Sequence, residues 1–130
     1  LELQRVAGVN EVQKARKEKK EVSLHVNSVY IPSAFDVSPG DQVELVLNFE
    51  NNGQNNLEGV RAVVMIPELD IYASKGPFDV SENNDVNARV LFIVPDNASK
   101  GNHYVRISLN GHDKSGHGLN RILYREIEVK

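Results

Sequence analysis

Apolar and polar residues alternate with a period of two over most of this chain. Between Gln42 and Glu50, Val43, Leu45, Leu47 and Phe49 fall on one face, and Gln42, Glu44, Asn48 and Glu50 on the other. That is the pattern of a half-buried antiparallel strand. Pro39-Gly40-Asp41 supplies a turn before it and Asn51-Asn52-Gly53 a turn after it, residues that suit turns for backbone reasons. A first strand runs from Val22 to Tyr30, with Val22, Leu24 and Val26 on one side and Ile31-Pro32 as its stop. Leu57 to Ile66 makes a third, carrying Val60, Ala62, Val64 and Ile66 inward and ended by Pro67. Ile71 to Ala73 predicts a short edge strand before a Gly76-Pro77 turn.

Asp85 to Val94 is the next long strand, with Val86, Ala88, Val90, Phe92 and Val94 on one face. Leu91 and Ile93 on its other face predict extra burial near its end. His103 to Leu109 follows with Val105, Ile107 and Leu109 inward. In the last strand, Asn120 to Val129, the pattern slips between Tyr124 and Ile127, which predicts a bulge or twist near Arg125. Seven strands joined by Gly, Pro and Asn turns predict an all-β, immunoglobulin-like antiparallel sandwich. A single sheet would leave one apolar face wet, and a second sheet covers it. The predicted core includes Val43, Leu45, Leu47, Val64, Phe92, Val105 and Ile107.

Charge divides the chain in two. Residues 1–20 hold six basic and three acidic groups, net +3, and the rest holds nine against fifteen, net −6. Residues 1–20 read as a charged linker or a short exposed helix, since they have helix propensity but almost no apolar stripe. The sandwich domain is expected over residues 21–130. The chain starts at Leu1 rather than Met, as in a processed product or a piece of a longer protein. No apolar run reaches the roughly 20 residues that span a bilayer. Cysteine is absent, which excludes disulfides and thiolate metal sites.

From Glu21 to Lys130 the chain resembles the immunoglobulin-like adhesion domains called CARDB, a pattern that recurs in archaeal S-layer-like surface proteins. The matching residues are Pro39-Gly40-Asp41, then Asn48-Phe49-Glu50-Asn51-Asn52-Gly53, then Val60-Arg61-Ala62-Val63-Val64 and Ile66-Pro67-Glu68-Leu69. Gly101-Asn102-His103-Tyr104-Val105-Arg106-Ile107 fits the penultimate strand of such domains. There the resemblance implies a tyrosine corner at Tyr104, its hydroxyl bonded to nearby backbone. It implies an extracellular or cell-envelope module, structural or adhesive, with no catalytic residues to carry over.

Candidate chemistry concentrates in the loop Asn110 to Gly118, where His112, Asp113 and His117 offer imidazole and carboxylate ligands for Zn²⁺ or Cu²⁺. The competing reading is a flexible hairpin with no metal, favoured by the loop's three glycines. His25 and His103 lie in strands without a companion ligand and read as structural. Asp36, Asp41, Asp70, Asp79, Asp85 and Asp96 populate turns, but none shows the spacing of an EF-hand loop. Glu44 with Glu50, and Glu126 with Glu128, read as solvent-facing strand positions rather than a glycosidase pair. Ser38, Ser74 and Ser115 sit in turn-like contexts without a nucleophile elbow. Asn97-Ala98-Ser99 is a glycosylation sequon, with Asn97 as acceptor.

The basic block Lys14 to Lys20 lacks aromatics, so nucleic acid is not an expected partner. The expected function is therefore a non-catalytic cell-surface module without a cofactor. Its expected partners are other envelope domains or copies of itself. The alternative is a carbohydrate-binding or metal-binding accessory domain of a secreted enzyme, with Tyr72 and Tyr124 as the outward rings and no Trp to help them.

Overall fold

A computed structural model describes residues 20–130. The basic block expected to form a linker or helix lies outside the described residues, apart from Lys20. Seven strands follow one another: β1 (Leu24–Tyr30), β2 (Gln42–Asn51), β3 (Leu57–Ile66), β4 (Ile71–Val80), β5 (Asp85–Ile93), β6 (Gly101–His112) and β7 (Gly118–Val129). A 3-10 turn over Pro67–Leu69 links β3 to β4. One sheet has the order β1-β2-β5 and the other β4-β3-β6-β7, with every strand pair antiparallel. The chain is an all-β sandwich of two antiparallel sheets, as the alternation predicts.

The core forms where the inward faces meet. Leu45, Leu47 and Phe49 of β2 face Val60, Ala62, Val64 and Ile66 of β3 and Val105, Ile107 and Leu109 of β6, all fully buried. Every residue of the predicted core is buried. Ser38-Pro39-Gly40-Asp41 closes as a type II turn, with Pro before a Gly at φ +87°. The Asp41 side chain accepts from Ser38 N at 2.8 Å, and Val94 N donates to Asp41 O at 2.9 Å. The turn is thereby fastened to the residue that follows β5.

Four expectations are corrected. The fourth strand is ten residues long, and Gly76-Pro77 lies inside it rather than in a turn. As an edge strand it tolerates a proline that has no N–H to donate. Shifts in the β3–β4 register between Leu57 and Ala62 absorb the irregularity. Leu91 and Ile93 gain no burial, at 52% and 68% exposed. Their parity points them outward from a three-stranded sheet that nothing covers among the described residues.

No bulge occurs in β7, whose register against β6 is unbroken from Gly118 to Val129. The polar Arg125 sits at an inward position beside the seam between the sheets. It reaches across, Nε donating to Val29 O at 3.3 Å. The register shift falls instead in β1, between Val26 and Ser28, and turns Val29 inward after Leu24.

Tyr104 forms no tyrosine corner, being 68% exposed. Its neighbours His103 and Val105 are buried, and alternation sends the ring to the opposite face.

Candidate functional site

Antiparallel connectivity gathers three connections at one end of the sandwich: residues 52–56, 81–84 and 113–117. Asn51, the last residue of β2, is fully buried and binds them together. Its Nδ2 donates to Val80 O at 2.9 Å and Asn55 O at 2.8 Å, and its Oδ1 accepts from Gly53 N at 2.9 Å. Gly53 lets the chain entering the domain cross closely: a Cβ there would lie 2.7 Å from Ser23 N and 3.0 Å from Glu21 O. Gln54 N and Asn55 N donate to Lys20 O and Glu21 O at 2.8 and 3.0 Å. Between the connections lies a polar cleft of about 450 Å³, lined by residues that include Asn55, Asn56, Glu82 and Lys114.

Asp113 is buried at the wall of this cleft, and both its oxygens are engaged. Oδ1 accepts from Ser115 N and His117 N, each at 2.9 Å. Oδ2 accepts from Asn55 Nδ2 at 3.0 Å and faces His117 Nδ1 at 3.1 Å. The glycine-rich loop expected to be a flexible hairpin is thus held by an internal carboxylate. His112 points away, its Nε2 4.0 Å from Glu58 Oε2. Of the three metal candidates, the structure joins Asp113 to His117 and separates His112. Among the described residues no three His, Asp or Glu side chains converge as a metal centre.

Desolvation raises the Asp113 pKa, but the hydrogen bonds from Asn55 and His117 and the His117 charge outweigh it and hold the carboxyl down at about 2. The hydrogen bond and charge of Asp113, with a smaller effect from Glu21, raise His117 above 6.5. Both shifts tie the stability of the loop to pH. The lowered carboxyl contributes stability above its ordinary 3.8, lost as pH falls toward 2. The raised imidazole contributes below 6.5, and this is lost as pH rises through its folded value. The loop is held best between 3.8 and 6.5. Asp113→Asn is expected to move the His117 titration back toward 6.5. Imidazole proton shifts followed by NMR against pH would check this; an unmoved midpoint would refute the coupling.

His103 is buried at the other end of the sandwich, Nδ1 2.7 Å from Glu68 Oε2 and Nε2 2.7 Å from Ser99 O. It fastens the β5–β6 connection to the 3-10 turn, a structural role. Asn97 is exposed in that same connection. Of the aspartates expected in turns, Asp79 lies in β4 and accepts from Gly59 N at 3.2 Å, and Asp85 opens β5 and accepts from Asn48 Nδ2 at 3.1 Å.

On the outer face of the four-stranded sheet, Tyr72 and Tyr124 are exposed as expected, and Tyr104 and Arg106, for which no outward role was expected, join them. Tyr72, Met65, Arg106 and Tyr124 form one row across β4, β3, β6 and β7. Ser74, Val63, Ser108 and Ile122 form the next, and Tyr104 lies opposite Glu126 on the far side of the first. Tyr72, Tyr104 and Tyr124 are 68%, 68% and 59% exposed. Arg106 Nε is buried without a hydrogen-bond partner among the described residues. The signal was present in the alternation: placing Val105, Ile107 and Leu109 inward already requires Tyr104 and Arg106 outward.

No family model matches the chain. No curated protein matches it either. Solved structures do match in shape. The CARDB domain of a Pyrococcus furiosus protein, in complex with di-metal ions, superposes with a TM-score of 0.62 at 12% identity, over 87% of this chain and 92% of that one. The alkylpurine DNA glycosylase AlkC of Pseudomonas fluorescens, bound to DNA containing an abasic site analog, matches with a TM-score of 0.55 at 17% identity, over 85% of this chain. That match spans 31% of the glycosylase. At these identities the likeness concerns the fold alone, and the fold is a CARDB-like β-sandwich.

Proposed function

We propose that this chain is a non-catalytic interaction module of a cell-envelope protein, working through the outer face of its four-stranded sheet. The observation that carries the reading is the grouping of Tyr72, Tyr104 and Tyr124 around Arg106 on that face. Tyrosine, methionine and arginine are enriched where protein surfaces meet, while lysine and acidic residues are depleted at interface centres. Exposed rings at these positions add nothing to the buried core, so their value lies in contact with something else. The loop end supports the same reading by contrast, since Asp113 and Asn51 are committed to holding connections in place. The metal ions of the Pyrococcus furiosus domain are not carried over to His112, Asp113 and His117, because N–H donors already occupy both Asp113 oxygens. Asn97 is accessible to a glycan, in keeping with an exported protein.

Beads coated with the full chain would be tested for clustering with one another and for retention on a glycan array. Binding in either assay is expected to disappear when Tyr72, Tyr104 and Tyr124 are all replaced by Ser. The melting temperature should barely move, since surface changes of this kind cost within about 0.5 kcal/mol each. Undiminished binding by the triple variant would remove the face from the reading. Turnover of a hydrolytic substrate by the pure chain would overturn the non-catalytic assignment.

A further inference from the structure

Four residues at the corner of the exposed face form a chequerboard. Tyr104 and Arg106 stand two apart on β6, and Glu126 and Tyr124 stand opposite them on β7. The two tyrosines occupy one diagonal and the two charges the other. Neither charged side chain has an ion-pair partner among the described residues, and Arg106 Nε is buried with no acceptor. Nε is closed off within the face, so the terminal guanidinium nitrogens, which are not buried in this way, are what a partner would meet, and a carboxylate suits them best through charge-assisted N–H···O bonds.

We infer that this face binds a second copy of the chain about a twofold axis lying along the Tyr104–Tyr124 diagonal. The inference rests on the reading of the face as an interaction surface and names its partner. Rotation about that diagonal leaves each tyrosine facing its own counterpart. The same rotation exchanges the other two corners, so Arg106 of each copy meets Glu126 of the other. Each charge is thereby paired once and the interface holds the same ion pair twice, which is the self-complementarity an isologous interface requires. A neutral saccharide would use the rings but leave the guanidinium without its carboxylate. Four strands about 4.8 Å apart and about eight residues of strand length present roughly 500 Å² per copy. That is small for a stable dimer, so the association is weak and reversible.

Sedimentation of the full chain up to about 1 mM, where a millimolar Kd is visible, tests this directly. Wild type is expected to dimerise with increasing concentration. Arg106→Glu and Glu126→Arg should each be monomeric, since each brings like charges together. Mixed in equal amounts, the two variants should associate, because every crossing pair is then opposite in sign. Circular dichroism would establish that both are folded. Wild type that stays monomeric throughout, or variants that dimerise as wild type does, would overturn the inference. If a monomeric wild type still bound glycans or another protein through its tyrosines, the interaction-module reading would stand and the second copy would fall. Retention on a uronic acid polysaccharide that is lost with Arg106→Glu would name the carboxylate's other source. Absence of all binding would remove both proposals.

Discussion

Phe49→Ala is expected to lower stability by about 3–5 kcal/mol, the range for truncating a buried aromatic ring. Phe49 is fully buried. It lies between Val26 of β1 and Val86 of β5 on the inward face of β2. Its ring meets that of Phe78, from the opposite sheet, with centroids 6.2 Å apart and planes at 64°. Truncation therefore loses an edge-to-face contact and opens a cavity at a junction of both sheets. Against a total stability of about 5–15 kcal/mol, the loss corresponds to roughly 12–20 °C in melting temperature. Phe35, 69% exposed, is the control, and Phe35→Ala should shift the melt by only a degree or two. Equal effects from the two would mean that the inward assignment of β2 is wrong.

Asn51→Leu is expected to cost about 3–5 kcal/mol, for a different reason. The leucine has about the right volume but leaves Val80 O, Asn55 O and Gly53 N without the partners that Asn51 supplies. Each stranded buried group costs about 1–3 kcal/mol. Asn48 makes a comparable number of side-chain bonds, to Asn27, Asp85 and Asn87, but at the solvent face. Water replaces those, so Asn48→Ala should cost less than about 1 kcal/mol. Urea unfolding of both variants would separate burial from bond count; similar midpoints would show that burial was not decisive.

The core was legible because it depends on parity alone. Val43, Leu45 and Leu47, like Val105 and Ile107, are inward whatever pairs with them. What escaped was set by neighbours distant in sequence. The length of β4 depends on pairing with β3, which carries the strand past Gly76-Pro77. The exposure of Leu91 and Ile93 depends on the outer side of the three-stranded sheet being uncovered among the described residues. Arg125 broke the apolar pattern of β7 without breaking its register, because Val29 O lies within its reach. At the loop end, the partner of Asp113 is Asn55, 58 residues earlier, and no local spacing reveals it. Tyr104 is the instructive case: alternation placed it outside, while a motif borrowed by resemblance placed it inside. The local physics was the better guide.

The seam beside β7 bears on how the domain carries a mechanical load. Lys20 is hydrogen-bonded at the loop end, whereas Lys130 N donates to Val37 O at the opposite end, at 2.8 Å. Val37 and Val129 pair in parallel. Glu128 N donates to Ala34 O at 2.7 Å, and Val37 N to Glu128 O at 3.2 Å. A pull between the two ends draws the segment after β1 one way and the end of β7 the other, along the direction in which they run together. These three bonds are then sheared and must yield at once, where a hairpin pulled open would give them up one by one.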